Sequence, residues 1–337
     1  MEVAKLAVFT ESADFCKELQ IPHKHNLVFS FLGQGEYNIN YTFDHPISGK
    51  KLVMRITTGS QMHLSNQIRY EYEALKLLAD TGRTPKPLYV DDRCEYIPYG
   101  MLVMEFLPGQ PLDYNENLQE AAACLAEIHN TKIPLKNHLI APENPLKAML
   151  DESKQLAKVY IDSELGDNAV KEKIRKLIAI SNRIIDSKPR VDNRRCIINT
   201  ELNSGNFLIN GKGKPNYLID WEKPLYAFAE QDLGHFLAPT TTNWRTETIL
   251  SKEQMYAFIK TYCSFSEQHK NPDQLWESML SYLAMTCLRG ISWSAMAWIE
   301  YQNPHKLIQN KYTFDKINKY LTPEFLDMLI TDYLGGQ

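Results

Sequence analysis

The sequence predicts an α+β fold in two lobes: an N-terminal antiparallel β-sheet lobe with one helix, then a larger, mainly helical lobe. Three observations point there. Short apolar runs separated by glycine-bearing turns fill the first third of the chain. After Pro108-Gly109 the apolar spacing switches to the helical period. A length of 337 residues is also more than one core ordinarily holds. The division falls between 1–107 and 108–337.

Taken in order, residues 11–20 read as a short helix. Strand-like runs follow at 27–32, 37–43 and 51–57. Gly33-Gln34-Gly35 joins the first two and Pro46-Ile47-Ser48-Gly49 the second and third, which is hairpin chemistry. In the third run Leu52, Met54 and Ile56 point to one face and Val53 and Arg55 to the other, because side chains alternate along a strand. Residues 62–79 have helical spacing, with Ile68, Tyr72, Leu75 and Leu78 on one stripe, and Thr84-Pro85-Lys86-Pro87 ends it. Runs 88–90 and 102–106 are two more strands. Beyond Pro108-Gly109, residues 116–130, 144–163 and 167–187 read as helices, 196–221 as a β-rich island, and 252–337 as mostly helical again. No internal repeat or low-complexity linker interrupts this plan.

Composition narrows the function classes. Apolar residues make up 44% and charged residues 23%, as in an ordinary globular protein. A net charge of −4 without a long basic run argues against nucleic acid as a partner. Nothing approaches the roughly 18 consecutive apolar residues of a membrane span, so no membrane partner is expected. The first residues carry acids early and no sustained apolar stretch, so no secretory leader is expected and a cytoplasmic location is. The cysteines at 16, 94, 124, 196, 263 and 287 include no Cys-x-x-Cys pair; reduced thiols are expected, not zinc or a disulfide frame.

The chemistry-bearing stretch is Asn199-Thr200-Glu201-Leu202-Asn203-Ser204-Gly205-Asn206-Phe207-Leu208-Ile209, then Tyr217-Leu218-Ile219-Asp220-Trp221-Glu222. A polar loop between short apolar strands precedes a carboxylate at a strand end. Phosphoryl transfer needs such a set: one acid for the attacking hydroxyl, and an Asn and an Asp to hold Mg²⁺ against phosphates. The acid-to-Asn spacing is five, and Asp220 comes fourteen residues after Asn206, room for one hairpin.

The stretch resembles the H-G-D-x-x-x-x-N … I-D-W-E signature of the aminoglycoside phosphotransferase and choline kinase superfamily, which has a protein-kinase-like fold. Gly205, Asn206, Asp220, Trp221 and Glu222 match as they stand. The resemblance makes Asn206 and Asp220 the metal ligands and Glu201 the catalytic carboxylate. Asn199, Thr200 and Glu201 depart from the family's His, Gly and Asp. Glu201 keeps the charge but reaches one methylene further, and a misplacement of about 1 Å can cost roughly 10²-fold in rate.

The N-terminal lobe adds to the likeness. The segment Phe31 to Asn38 resembles a short glycine-bearing phosphate loop, with Gly35 and Asn38 at matching positions, where backbone N–H groups cradle phosphate oxygens. The run 51–57 resembles the third kinase strand, with Val53 over the adenine and Arg55 in place of Lys. Glu71, sixteen residues on, resembles the helix glutamate that pairs with this cation, and Glu73 is the alternative on the same turn. Residues 102–109 resemble the hinge, with backbone groups of Glu105 and Leu107 facing the adenine edge and Leu208 also on the nucleotide. His129 reads as a structural hydrogen-bonding residue, Asp232 as a brace of the catalytic loop, and His235 as structural.

The resemblance implies a kinase that uses ATP and Mg²⁺ to phosphorylate a hydroxyl of a small, possibly amine-bearing acceptor. The alternative is a nucleotide-binding pseudokinase or regulatory protein, suggested by the changes at 199–201. In the late helix Trp293, Ala297 and Glu300 share a stripe, so Trp293 and Glu300 are the expected acceptor-pocket residues.

Overall fold

A computed structural model describes residues 3–23, 25–35, 37–60, 62–187, 194–303 and 310–334. Glu36 of the glycine turn lies outside them, as do parts of the helical reading of 252–337, at 304–309 and 335–337.

The N-terminal lobe is a five-stranded antiparallel sheet. Its strands are β1 (Ser30–Gln34), β2 (Asn38–Asp44), β3 (Lys51–Thr57), β4 (Pro87–Asp91) and β5 (Gly100–Glu105), in the order β1-β2-β3-β5-β4. The alternation in β3 sorts its side chains as the sequence implies. Leu52, Met54 and Ile56 enter the core on the outer face. Val53 joins the core on the inner face, and Arg55 is 5% exposed. The first strand starts later than the sequence pattern suggests and includes Gly33.

The lobe holds more than the one helix of its plan: the short helix read at 11–20 is present, and a further helix before it is an addition. Helices α1 (Val3–Thr10) and α2 (Ala13–Glu18) precede the sheet, and Leu6, Phe9 and Phe15 cover its outer face. Both are short, below the length at which apolar period alone identifies a helix. The expected helix is α3 (Gln67–Leu78), capped by Asn66, whose side chain accepts from the Arg69 N–H.

After the hinge, β6 (Gln110–Pro111) pairs with β8 (Phe207–Ile209), which pairs in turn with β9 (Tyr217–Leu218). A second pair joins β7 (Cys196–Ile198) to β10 (Leu225–Ala227). Gly109 makes the hinge crossing possible: its φ is +150°, and a Cβ there would sit 2.8 Å from the Leu208 backbone.

The helices of this lobe are α4 (Leu118–His129), α5 (Pro145–Asp162), α6 (Asn168–Ser187), α7 (Ala229–Leu237), α8 (Pro239–Arg245), α9 (Lys252–Phe265), α10 (Pro272–Tyr301), α11 (Lys311–Tyr320) and α12 (Pro323–Met328). The central one is α10. Gly234 brings α7 against it, since a Cβ there would meet the Leu283 nitrogen at 2.5 Å. Around that crossing Phe236 packs on Phe258, Phe207 and Tyr114 at 4.9, 5.2 and 5.5 Å.

One apolar core runs from the inner sheet face, through Val53, Leu102 and Met104, into the helical lobe. All six cysteines are free, and five are buried. No described helix is long and apolar enough to cross a membrane.

Candidate active site

The site lies where the sheet's inner face meets the β7–β10 island. Arg55 crosses between them. Its Nη1 donates to Glu71 Oε1 at 2.6 Å and to Asp220 Oδ1 at 2.9 Å, while Nε donates to Asn40 Oδ1 at 3.1 Å. Burial alone would favour the neutral guanidine, but Glu71, Asp220 and Glu222 outweigh it and raise the Arg55 pKa. Glu71 sits on the buried face of α3, 1% exposed. Glu73 instead faces Arg69 and Lys76 at the surface.

The loop from Asn199 to Asn206 is held from below by Asp232, on α7. The carboxylate of Asp232 accepts the N–H groups of Asn199 and Thr200, each at 2.8 Å, and lies 3.2 Å from His129 Nε2. His129 Nδ1 lies 2.9 Å from the Tyr262 hydroxyl. Asn199 takes over the bracing expected at this position. Its Nδ2 donates to the Asp220 carbonyl at 2.8 Å and its Oδ1 accepts the Glu201 N–H at 3.0 Å.

Two non-glycine residues here adopt left-handed backbone, Thr200 at φ +70° and Asp220 at φ +65°. Such strain gathers where surrounding bonds over-determine it. Thr200 is further tied by its hydroxyl, which donates to the Lys223 carbonyl at 2.8 Å.

Glu201 is partly exposed, and Lys223 Nζ lies 3.2 Å from its Oε1. The ammonium fixes the longer arm in direction. Asn206 donates its Nδ2 to the Glu201 carbonyl at 2.9 Å, which leaves its Oδ1 without a donor among the described residues. Asp220 Oδ2 is likewise free there, since Arg55 takes Oδ1. Burial, then repulsion from Asp220 and Glu201, pushes Glu222 up to about 8. Hard oxygens and crowded negative charge fit a magnesium ion, which binds through one or two protein oxygens plus phosphates and water. The described residues contain no cluster of three or more His, Cys, Asp or Glu arranged as an all-protein metal cage.

On the nucleotide side, the Gly35 N–H donates to the Asn38 carbonyl at 2.9 Å and closes the turn. No atom lies within 4 Å of a Cβ built at Gly33, so packing does not demand glycine there. Asn38 is engaged within the protein: it donates to the Glu222 carboxylate and accepts from Thr57 Oγ1 at 2.7 Å. Its side chain therefore ties the turn to the Asp220 segment.

Val53 pairs with Met104 in the neighbouring strand, and half-buried Leu208 lies against Gly109, so both flank the hinge. The Glu105 N–H is spent on the Lys86 carbonyl at 3.0 Å, which leaves only its carbonyl for an adenine edge. The Leu107 N–H has no partner among the described residues.

Below the loop opens a cavity of about 240 Å³, lined by Met62, Met149, Glu152, Thr200, Lys223, Leu225, Gln231, His235 and Arg289. Neither Trp293 nor Glu300 lines it. Trp293 is half-buried, edge-on to Trp244 at 5.4 Å, and Glu300 is exposed. Trp293 lies one turn beyond Arg289 on α10 and outside this lining, so the cavity is not where Trp293 and Glu300 are expected to form an acceptor pocket.

Sequence reasoning passed over Lys223, Gln231 and Arg289 and read His235 as structural only. Two of them carried a signal. Arg289 is a charge inside an otherwise apolar run of α10, and Lys223 follows Asp220-Trp221-Glu222 directly.

Bilobal fold, buried cation–carboxylate pair and Asn–Asp oxygen pair together define a kinase-like phosphotransferase. The profile of the phosphotransferase enzyme family, APH, matches residues 28–275, and the chain belongs to that family. Solved structures share the fold. Plasmodium vivax ethanolamine kinase is 16% identical, covering 97% of this chain and 90% of that one, with a TM-score of 0.65. A microcompartment-associated aminopropanol kinase is 13% identical, covering 99% and 97%, with a TM-score of 0.68. A spectinomycin phosphotransferase in complex with ADP and spectinomycin is 15% identical, covering 92% and 93%, with a TM-score of 0.62. No curated protein matches the chain.

Proposed function

We propose that this protein transfers the γ-phosphoryl group of ATP to a hydroxyl of a small acceptor, with residues 1–107 as the nucleotide lobe and 108–337 as the catalytic and acceptor lobe. The observation that carries it is the Arg55 bridge to Glu71 and Asp220, at 2.6 and 2.9 Å. A paired strand cation and helix glutamate are a requirement of kinase catalysis.

Arg55 would orient the phosphates, with the Gly35 turn above them and the Glu105 carbonyl and Leu107 N–H at the adenine edge between Val53 and Leu208. Asn38 supports this site through Glu222. Asn206 Oδ1 and Asp220 would hold magnesium, which neutralises charge on the transferring phosphate. Glu201 would accept the acceptor's proton as the acceptor oxygen bonds to the γ-phosphorus and the β–γ bridging bond breaks to give ADP. The small cavity beneath Thr200 and Lys223 is the acceptor site in this reading.

The test is acceptor-dependent ADP release. Glu201→Gln should lower kcat by about 10²–10⁴-fold and leave nucleotide affinity within twofold, because a base acts on the hydroxyl and not on the phosphates. Full turnover in that variant would remove Glu201 from the mechanism. Nucleotide binding without acceptor-dependent turnover would favour the regulatory reading.

A further inference from the structure

We propose that the acceptor carries a carboxylate, seated between Lys223 and Arg289 with the reacting hydroxyl turned toward Glu201. This rests on the phosphotransferase reading and names the class of molecule that reading leaves open. It also departs from the amine-bearing acceptor that the tryptophan stripe suggested.

The cavity's cations keep free donors. Arg289 gives Nε and Nη2 to the two oxygens of Glu152, at 3.1 and 3.3 Å, and its Nη1 has no partner among the described residues. Lys223 makes one ion pair, with Glu201, and an ammonium has three donors. The ring of His235 has no protein partner among the described residues, although it lines the cavity. Gln231 also lines the cavity, but its unpaired Oε1 is a buried acceptor and takes no part in holding an anion. Buried polar groups are ordinarily satisfied, so unpaired ones facing a cavity point to a missing ligand.

The acidic side is already committed. Glu152 is taken by Arg289, and Glu201 is turned to Lys223 at the rim. An ammonium entering here would meet two cations; a carboxylate would accept from Arg289 Nη1, from Lys223 and from the imidazole. The local field agrees. Burial, then Arg289, holds the His235 imidazole neutral, with its pKa at about 3, and burial, then Arg289, also lowers that of Lys223. Like charges held together out of water are relieved by an anion between them. About 240 Å³ suits a compact molecule, below the range of roughly 300–1,000 Å³ for drug-sized ligands.

The experiment is thermal shift and calorimetry on the full chain with AMP-PNP and Mg²⁺ present. The probes are glycolate, glycerate and 4-hydroxybutyrate, each beside its uncharged amide or alcohol counterpart, with ethanolamine and choline as cations. At least one hydroxy acid should raise the melting midpoint with concentration, as ligand linkage requires, and its uncharged counterpart should bind at least tenfold more weakly. Arg289→Gln should weaken the acid at least tenfold, Arg289→Lys should restore part of it, and neither should change AMP-PNP affinity. A shift with ethanolamine or choline but with no hydroxy acid overturns the proposal, as does no shift with any of the acids or equal acid affinity in Arg289→Gln. The nucleotide arm separates the two readings: acid binding without AMP-PNP binding leaves the anion site standing and removes the kinase assignment.

Discussion

Thr200 concentrates the local strain of the catalytic loop. It is β-branched, yet it holds φ +70°, a region that glycine adopts freely and that costs other residues about 1–2 kcal/mol. Two bonds to later segments of the chain, from its N–H to Asp232 and from its hydroxyl to the Lys223 carbonyl, hold it there. Two substitutions separate strain from bonding. Thr200→Ala loses the hydroxyl bond and keeps the strain, whereas Thr200→Gly loses the bond and relieves the strain. Chemical denaturation should therefore find the Gly variant more stable than the Ala variant by about 1 kcal/mol, the reverse of the usual order. An Ala variant as stable as Gly would mean that the backbone here is not strained. Part of this was legible, because the signature resembled by residues 199–206 has glycine at Thr200. The position of Lys223 beside Glu201, and the way Asn199 bonds both Glu201 and Asp220, depended on how two distant loops fold together.

At the scale of elements, α7 is a helix of the site that the sequence marks only in part. The pattern at 231–235 was recognised as a segment, but not as a helix crossing α10. Its apolar residues are buried on several sides, so no single stripe marked it. The crossing sets the cavity, because Gln231 and His235 stand one turn apart on α7 and Arg289 comes from α10. Gly234 is the point of closest approach. Gly234→Ala would place a Cβ 2.5 Å from the Leu283 nitrogen and 2.8 Å from Tyr282, so the helices must separate. Overpacking of this kind costs about 1–3 kcal/mol. Urea unfolding should show that loss, and acceptor affinity should fall with it; a neutral Gly234→Ala would contradict the packing account. The strands were easier to read. The alternation of β3 separated Arg55 from the outer core correctly, because a strand buried on both faces still alternates which core it serves. Helix α2 falls within the short helix read at 11–20, whereas α1 was not read, because its burial depends on a sheet that forms later in the chain.

At the scale of the whole molecule, the two lobes are fastened at the site itself. Arg55 reaches Asp220, Asn38 reaches the Glu222 carboxylate, and Gln67 Nε2 donates to the Glu222 carbonyl at 2.6 Å. The continuous apolar core beneath them resists wide opening, so these polar ties set how the lobes meet. The order of the elements and the positions of Arg55, Glu71, Asn206 and Asp220 were legible because they recur at fixed spacings. The cavity's lining was not, because its residues come from Met62 to Arg289 and meet only in the folded chain. In the proposed reading this interlobe site binds a purine nucleotide through magnesium. Isothermal titration of ATP into the wild type, with Mg²⁺ and with EDTA, tests it most directly, with Asp220→Asn as the companion. Binding should be saturable and weaken at least tenfold without Mg²⁺, and Asp220→Asn should lose this dependence, because the hard cation has lost its anionic oxygen ligand. Heat-silent titrations with no competition by AMP-PNP, in the presence or absence of Mg²⁺, would contradict it.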